Sequence, residues 1–235
     1  MNEAATSIVS SDPYEGFADF DPMPLMRAVQ YVVTAGVDGH FAEFGSYQGR
    51  SAEVLARELA RCSVLYDINE KANTSSERRL FLFEGFEGFP QATNPVDLAS
   101  PHIARGIWPP GGARGGSPEQ LKERCARHLS EDRIEIFPGW FKDTVKTIPE
   151  DARFALLHVD CDLYQSTIDA LVPIFARGMI TDGATILFDD WYCNSGSPDF
   201  GQQRAWREIT TAFYRYRYTD YGGYGVVGRR FIVHW

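Results

Sequence analysis

Residues 154–163, which read FALLHVDCDL, constrain the fold more than any other part of the sequence. A nearly unbroken apolar run leads directly into the acidic sequence DCD. Runs of this kind are typical of parallel strands that helices cover on both faces, because neither face meets water. A second apolar run at 184–188 ends in two further aspartates. We therefore expect an α/β domain whose central strands end in carboxylates.

The carboxylates at these two strand ends form the first candidate site. Parallel strands present their carboxyl ends at one edge of the sheet, and ligands of open α/β folds bind at that edge. Asp160 and Asp162 would meet Asp189 and Asp190 there, and carboxylate oxygens are preferred ligands of hard divalent cations such as Mg²⁺. A single aspartate in such a position more often caps the following helix. Two acidic pairs on two strands favour a cation site.

Composition argues against several classes of protein. The 235 residues carry a formal net charge of −9, which argues against nucleic acid and against anionic membrane surfaces as partners. No apolar run is long enough to cross a bilayer, and the N-terminus shows no secretory signal. The four cysteines form no CxxC pair. We therefore expect a reduced, cytoplasmic protein without a zinc site.

The length of the chain suits a single domain. We interpret residues 1–20 as a flexible N-terminal arm and residues 21–235 as one domain, with an insertion or long loop at 61–78 and a Pro/Gly-rich loop at 91–118. A long loop inside a compact domain is often a lid or a binding loop, and a surface excursion without function is an equally good interpretation. The arm could exchange between subunits of a homo-oligomer or extend freely, and the sequence favours neither.

The first part of the domain contains a strand, a glycine turn and a helix. His40–Gly45 is strand-like, Ser46–Ser51 forms the turn, and a helix follows. This unit directs backbone N–H groups and the positive end of a helix towards whatever lies above the turn. It lacks the third glycine of GxGxxG and the lysine of a P-loop, so neither nucleotide fingerprint fits. The next clear strand, Arg79–Phe83, ends in Glu84, where α/β folds commonly place the acid that binds a ribose diol.

Periodicity and capping residues predict the remaining elements. These are helices at about 22–33, 52–60, 118–129, 143–149, 164–175 and 202–214, a strand at 133–137, and a closing antiparallel pair within 214–235.

Five segments together resemble macrocin-type O-methyltransferases, which are S-adenosylmethionine (SAM)-dependent enzymes that methylate sugar hydroxyls of natural products. The segments are FAEFGSYQGRS (41–51), LFEGFEGFP (82–90), GWFKDT (139–144), HVDCDLYQST (158–167) and FDDW (188–191). The resemblance covers about residues 20–235. It implies a Rossmann-like class I methyltransferase fold, with a mostly parallel seven-stranded sheet, an antiparallel last strand and helices on both faces.

The resemblance also implies the binding residues. The glycine turn would hold the amino-acid end of SAM, and Glu84 would bind the ribose hydroxyls. The residues of the turn in this role are Glu43, Gly45, Ser46, Gly49 and Ser51. The family's metal ligands map onto Asp160, Asp189 and Asp190, with Asp162 as a near neighbour. Trp140 lies just past a strand end, where we expect it to stack on adenine or on a substrate ring.

The implied reaction is methyl transfer to a small hydroxylated acceptor, either a natural product or its sugar. A bound Mg²⁺ lowers the pKa of a hydroxyl, and Asp160 is expected to accept the proton, a contribution typically worth about 10²–10⁴-fold in rate. His158 lies inside the strand pattern and is expected to be structural. Two positions depart from the family pattern: Glu84 stands where aspartate is usual, and Cys161 where glycine is common.

Two other functions stay open on the sequence alone. A Mg²⁺-dependent sugar-nucleotide transferase would use the Asp160-x-Asp162 pair to hold the cation and a diphosphate, but the sequence offers no persuasive phosphate-binding element. A non-catalytic binding module of the same fold would explain the two departures from the family pattern. The set of acids at the strand ends argues against it.

Overall fold

A seven-stranded sheet forms the centre of the protein in the computed structural model, which describes residues 20–65 and 78–235. The strands are β1 (His40–Phe44), β2 (Leu80–Glu84), β3 (Ile134–Pro138), β4 (Phe154–Val159), β5 (Ile180–Phe188), β6 (Arg217–Tyr224) and β7 (Gly228–His234). Their order is β3-β2-β1-β4-β5-β7-β6. Strand β7 is antiparallel to both neighbours, and all other pairs are parallel. This is the predicted sheet with its reversed last strand.

Helices cover both faces of the sheet. They are α1 (Met23–Thr34), α2 (Arg50–Leu65), α3 (Pro95–Leu98), α4 (Pro101–Ala104), α5 (Pro118–Ala126), α6 (Phe141–Thr144), α7 (Tyr164–Ala176) and α8 (Gly201–Ala212). One apolar cluster joins α1, α2 and α5 to the sheet, and a second joins α7 and α8 to it. Strand β4 is buried along its whole length and contributes to both clusters, as its apolar run predicts. Among the described helices, none is long and apolar enough to cross a bilayer.

Residues 61–65, at the start of the segment predicted as an insertion or long loop, are helical. Helix α2 continues to Leu65, because Leu55, Leu59 and Cys62 repeat at helical spacing and are fully buried. Residues 66–77 lie outside the described residues. Residues 1–19 of the predicted arm lie outside them as well.

The Pro/Gly-rich segment at 91–118 also differs from a plain loop, since it contains α3 and α4. Each helix follows a capping residue and begins with proline: the side chain of Asn94 accepts a hydrogen bond from the backbone of Val96, and that of Ser100 accepts one from Ile103. Helices of four residues have no periodicity to detect. Buried Asp97 ties α3 to the start of α7, because its carboxylate accepts hydrogen bonds from two backbone N–H groups there, at 2.8 and 3.0 Å.

Candidate active site

At the ends of β1 and β4, the two backbones lie too close together to leave room for a side chain at residue 45. The strand order reverses between these two strands, which is where open α/β sheets form their ligand crevice. Gly45 follows β1 with a φ of +89°, and a Cβ atom placed on it would lie 1.8 Å from the carbonyl oxygen of Asp160. The backbone N–H of Asp160 donates to Phe44 at 2.9 Å. Glycine is therefore required at position 45 by both conformation and space.

The carboxylate of Glu84 holds the glycine turn in place from the neighbouring strand. One oxygen accepts hydrogen bonds from the backbone N–H groups of Ser46 and Tyr47, at 2.7 and 2.9 Å. The other accepts from the backbone of Phe86 at 2.9 Å. A carboxylate has about four acceptor positions, so these bonds leave capacity for about one more. The predicted ribose-binding acid thus lies at the expected edge and also shapes the turn beside it.

A series of buried polar contacts connects the glycine turn to β4. The side chain of Ser46 donates to Glu43 at 2.7 Å, and the other oxygen of Glu43 lies 2.8 Å from Nδ1 of His158. On its other side, Nε2 of His158 lies 3.9 Å from Asp189. Burial alone would lower the pKa of His158, but its interactions with Asp189 and Glu43 outweigh burial and raise the pKa well above its usual range. His158 is buried, as expected, and it bridges two acids.

The other residues predicted for the cofactor lie in different surroundings. The indole of Trp140 packs on Gly85, directly after Glu84, within 3.2 Å of where a side chain at that position would begin. Ser51 is buried in the first turn of α2. Gly49 faces Leu121 of α5, so its lack of a side chain serves helix packing. Trp191, another aromatic residue past a strand end, packs against core residues of β5 and β7.

Three aspartates converge at the ends of β4 and β5. Oxygens of Asp160, Asp162 and Asp190 all lie within 4.8 Å of one another. Asp162 has a φ of 58°, which is rare for a residue with a side chain, and its backbone N–H donates to Asp190 at 3.0 Å. The predicted set contained Asp189 in place of Asp162. The strained turn carries Asp162 into the cluster, whereas Asp189 lies outside the compact group and beside His158.

Crowding of these acids changes their protonation. Burial raises the pKa of Asp160, and the charges of Asp189 and Asp190 raise it further. Burial and the charge of Asp190 raise the pKa of Asp162 in the same way. Burial and the charge of Asp189 raise the pKa of Asp190 to about 7. In each case burial and the neighbouring acids outweigh the favourable contacts of the carboxylate, including that of His158 with Asp160.

Gln202 is a site residue that the sequence analysis missed. Its side chain is buried, accepts a hydrogen bond from the backbone N–H of Asp190 at 2.9 Å, and donates to the carbonyl of Val159 at 2.9 Å and to the Asp190 carboxylate at 3.2 Å. It thereby fixes the end of β5 to the end of β4. The available signal was an amide in the first turn of the helix that follows the aspartate pair.

Comparisons with known proteins agree with this architecture. The model of the family described as macrocin-O-methyltransferase (TylF) matches residues 23–216. The 8-demethyl-8-(2,3-dimethoxy-alpha-L-rhamnosyl)-tetracenomycin-C 4'-O-methyltransferase of Streptomyces olivaceus is 29% identical over 71% of this chain and 58% of its own length. The mycinamicin III 3''-O-methyltransferase of Micromonospora griseorubida is 28% identical over 72% and 61%. The chain thus spans about three fifths of the curated relatives that it matches.

Solved structures show the same fold. The O-methyltransferase NovP has a TM-score of 0.67 at 22% identity, covering 90% of this chain and 78% of its own. The calicheamicin methyltransferase CalS11 has a TM-score of 0.63 at 22% identity, covering 97% and 87%. The expected class I methyltransferase fold is therefore confirmed. With 194 consecutive positions from 23 to 216 under one family model, the chain belongs to the macrocin-O-methyltransferase family.

Proposed function

We propose that this protein transfers a methyl group from SAM to a hydroxyl of a small natural product or of its sugar, assisted by a divalent cation such as Mg²⁺. One observation carries the proposal: the glycine turn held by Glu84 and the cluster of three aspartates lie at the ends of adjacent strands, joined where Gly45 meets Asp160. A donor site and an acceptor site thus share one crevice. Family membership supports the reaction type, and the named relatives support a sugar hydroxyl as acceptor.

The residues around β1 and β2 fit SAM. The N-terminal turn of α2 favours a carboxylate, while buried Glu43 and Ser46 offer polar partners for the amino-acid end. Glu84 keeps acceptor capacity for a ribose hydroxyl. The Trp140 indole beside Gly85 offers an aromatic surface for adenine.

The residues at the ends of β4 and β5 fit a hard cation. Asp160, Asp162 and Asp190 supply oxygen ligands, and Mg²⁺ is commonly held by one or two carboxylates together with water or substrate. The raised pKa values of these acids reflect repulsion that a cation would relieve. Gln202 orients Asp190 by its hydrogen bonds.

The residues of the site would have distinct roles in the reaction. When bound, SAM supplies the methyl group and the cation supplies positive charge that favours loss of the acceptor proton. Asp160 would accept that proton, because its carboxylate lies in the group of three aspartates at the end of β4. The acceptor oxygen forms its bond to the methyl carbon as the carbon–sulfur bond breaks, leaving S-adenosylhomocysteine and a methyl ether. The turn and the aspartates hold the reactants in line, which supplies much of the remaining acceleration.

Titration of the protein with SAM in a calorimeter tests the donor site. We expect Glu84→Gln to weaken SAM binding about ten- to a hundredfold, because the amide replaces a charged acceptor that holds the turn, and hydrogen bonds to charged groups contribute about 1.5–3 kcal/mol. Glu87→Gln, an exposed change in the next turn, is the matched control and should bind normally. Failure of the folded parent protein to bind SAM would refute the proposed function.

Removal of the cation should make stability depend on pH in a defined direction. The pKa of Asp190 is about 7 in the folded protein and about 3.9 in an unfolded chain. Between these values the folded state holds a proton that the unfolded state has lost, so stability falls as pH rises through this window. We expect Mg²⁺ to raise the melting temperature above its value in EDTA, and to do so more at about pH 8 than at about pH 5.

The Asp190→Asn variant is the control for this effect, since it removes the carboxyl but keeps the shape. Its melting temperature in EDTA should depend less on pH than that of the parent. Equal Mg²⁺-induced shifts at both pH values would contradict a cation site built from these acids.

A further inference from the structure

Tyr224 brings a phenol to the carboxylate edge from a part of the chain that the family match does not reach. The match ends at residue 216, whereas Tyr224 is the last residue of β6 and pairs with Gly228 at the start of β7. A Cβ atom placed on Gly228 would lie 2.5–2.8 Å from three carbons of the Tyr224 ring. The ring therefore lies flat across a glycine, where no side chain displaces it, and its remaining surface packs against the core.

The hydroxyl of Tyr224 is buried and has no hydrogen-bond partner among the described residues. Buried polar atoms are nearly always paired in folded proteins, so an unpaired one needs a physical reason. A ligand site that is completed by binding is one such reason. The hydroxyl lacks a partner among the described residues, and it would gain one if it donated a hydrogen bond when a ligand is bound.

The strand register places Tyr224 level with the site aspartates: Tyr224 pairs with Gly228, and the next residue, Arg229, pairs with Phe188, which directly precedes Asp189. Burial raises the pKa of Tyr224, and the charges of Asp189, Asp160 and Asp190 raise it further. An ordinary phenol has a pKa of about 10, so the hydroxyl is protonated at neutral pH and is able to donate a hydrogen bond.

Asp189 lies between two possible donors, His158 on β4 and Tyr224 on β6. His158 approaches it from β4, with Nε2 at 3.9 Å from the carboxylate, and Tyr224 approaches it from β6. The side chain of Asp189 is 45% exposed, and it lies outside the compact group formed by Asp160, Asp162 and Asp190. A small rotation of this side chain would change its distance to both donors.

We propose that Tyr224 is a positioning residue of the carboxylate site, whose hydroxyl donates a hydrogen bond to Asp189 only when a cation is bound and then holds that carboxylate beside Asp160 and Asp190. The inference rests on the cation site of the proposed function. It assigns a role to the hairpin of β6 and β7, which lies beyond the matched part of the chain. It also explains why Gly228 faces the ring.

The test compares Tyr224→Phe with the parent, using the full chain without SAM. Mn²⁺ alone is titrated, and the free ion is followed by electron paramagnetic resonance. We expect Tyr224→Phe to bind Mn²⁺ about ten- to a hundredfold more weakly, the usual effect of removing a group that orients a metal ligand. In EDTA the variant should melt no lower than the parent, because the deleted hydroxyl has no partner in the fold.

Tyr221→Phe is the matched control, because Tyr221 lies on the same strand with its ring against Tyr31 and Arg230, and it should bind Mn²⁺ as the parent does. Equal Mn²⁺ affinity in the parent and Tyr224→Phe overturns the inference and leaves the proposed function intact. A lower melting temperature for Tyr224→Phe in EDTA overturns it as well, since the hydroxyl would then be bonded within the fold. A parent that binds SAM but no Mn²⁺ overturns both the cation site and this inference, whereas a parent that binds no SAM refutes the methyltransferase itself.

Discussion

Asp160→Asn is expected to slow methyl transfer by about 10²–10⁴-fold, the usual contribution of a general base. Asparagine matches aspartate in shape but cannot accept the acceptor proton, and it removes one charged oxygen from the group of three aspartates. The backbone contacts of residue 160 with Phe44 and Gly45 do not involve the carboxylate, so the fold should be unchanged. Single-turnover rates with saturating SAM and a glycosylated acceptor would measure the loss.

Two comparisons show whether this loss arises at the reacting centre. Asp151→Asn, an exposed change that follows no site strand, should retain the parental rate. SAM affinity of Asp160→Asn should stay within a few-fold of the parent, because the residues proposed to bind SAM lie near the ends of β1, β2 and β3 and at the start of α2, whereas Asp160 follows β4. If Asp160→Asn transferred methyl groups as fast as Asp151→Asn, Asp160 would not be the base.

Gly45→Ala is expected to cost the largest amount of stability of any change considered. The added methyl would lie 1.8 Å from a backbone oxygen that cannot rotate away, and the φ of +89° disfavours any L side chain. The ends of β1 and β4 would have to separate, which would break the hydrogen bond between Asp160 and Phe44. A free-energy loss of about 4 kcal/mol or more is expected, together with loss of SAM binding. Urea unfolding monitored by circular dichroism would measure it.

Gly36→Ala separates the two causes of that loss. Gly36 also has a positive φ, of +67°, but nothing lies within 4 Å of the position where its Cβ would be. It should lose only the conformational term, about 1–2 kcal/mol. A Gly45→Ala protein as stable as Gly36→Ala would mean that β1 and β4 do not meet as described.

The two halves of the site are joined by more than backbone contact. The chain from Ser46 through Glu43 to His158 begins at the glycine turn and ends beside Asp189. The Ser46–Glu43 and Glu43–His158 contacts are buried. In a low-dielectric interior, a change of charge at one of these groups therefore affects the others strongly. The same histidine therefore contacts an acid beside the glycine turn and an acid beside the aspartate cluster.

Local sequence patterns predicted the strands and the longer helices in their order, although not α3 and α4, and they located the acids at strand ends. The apolar run before Asp160 required a strand covered on both faces, and β4 is such a strand. The capping box at Ser117 and Gln120 placed the start of α5. These predictions succeed because burial pattern, capping and turn chemistry act over a few residues, and the sequence records them directly.

Which side chains contact each other at the site is set by the packing of whole strands and helices, and is seen only in the tertiary structure. The backbone N–H of Asp162 donates to Asp190, which lies 28 residues later in the sequence, because Asp162 adopts a left-handed conformation. Glu84 reaches the glycine turn because β1 and β2 lie side by side, and Gln202 reaches Asp190 from the start of α8. Such contacts depend on how whole strands and helices pack, so no local pattern specifies them.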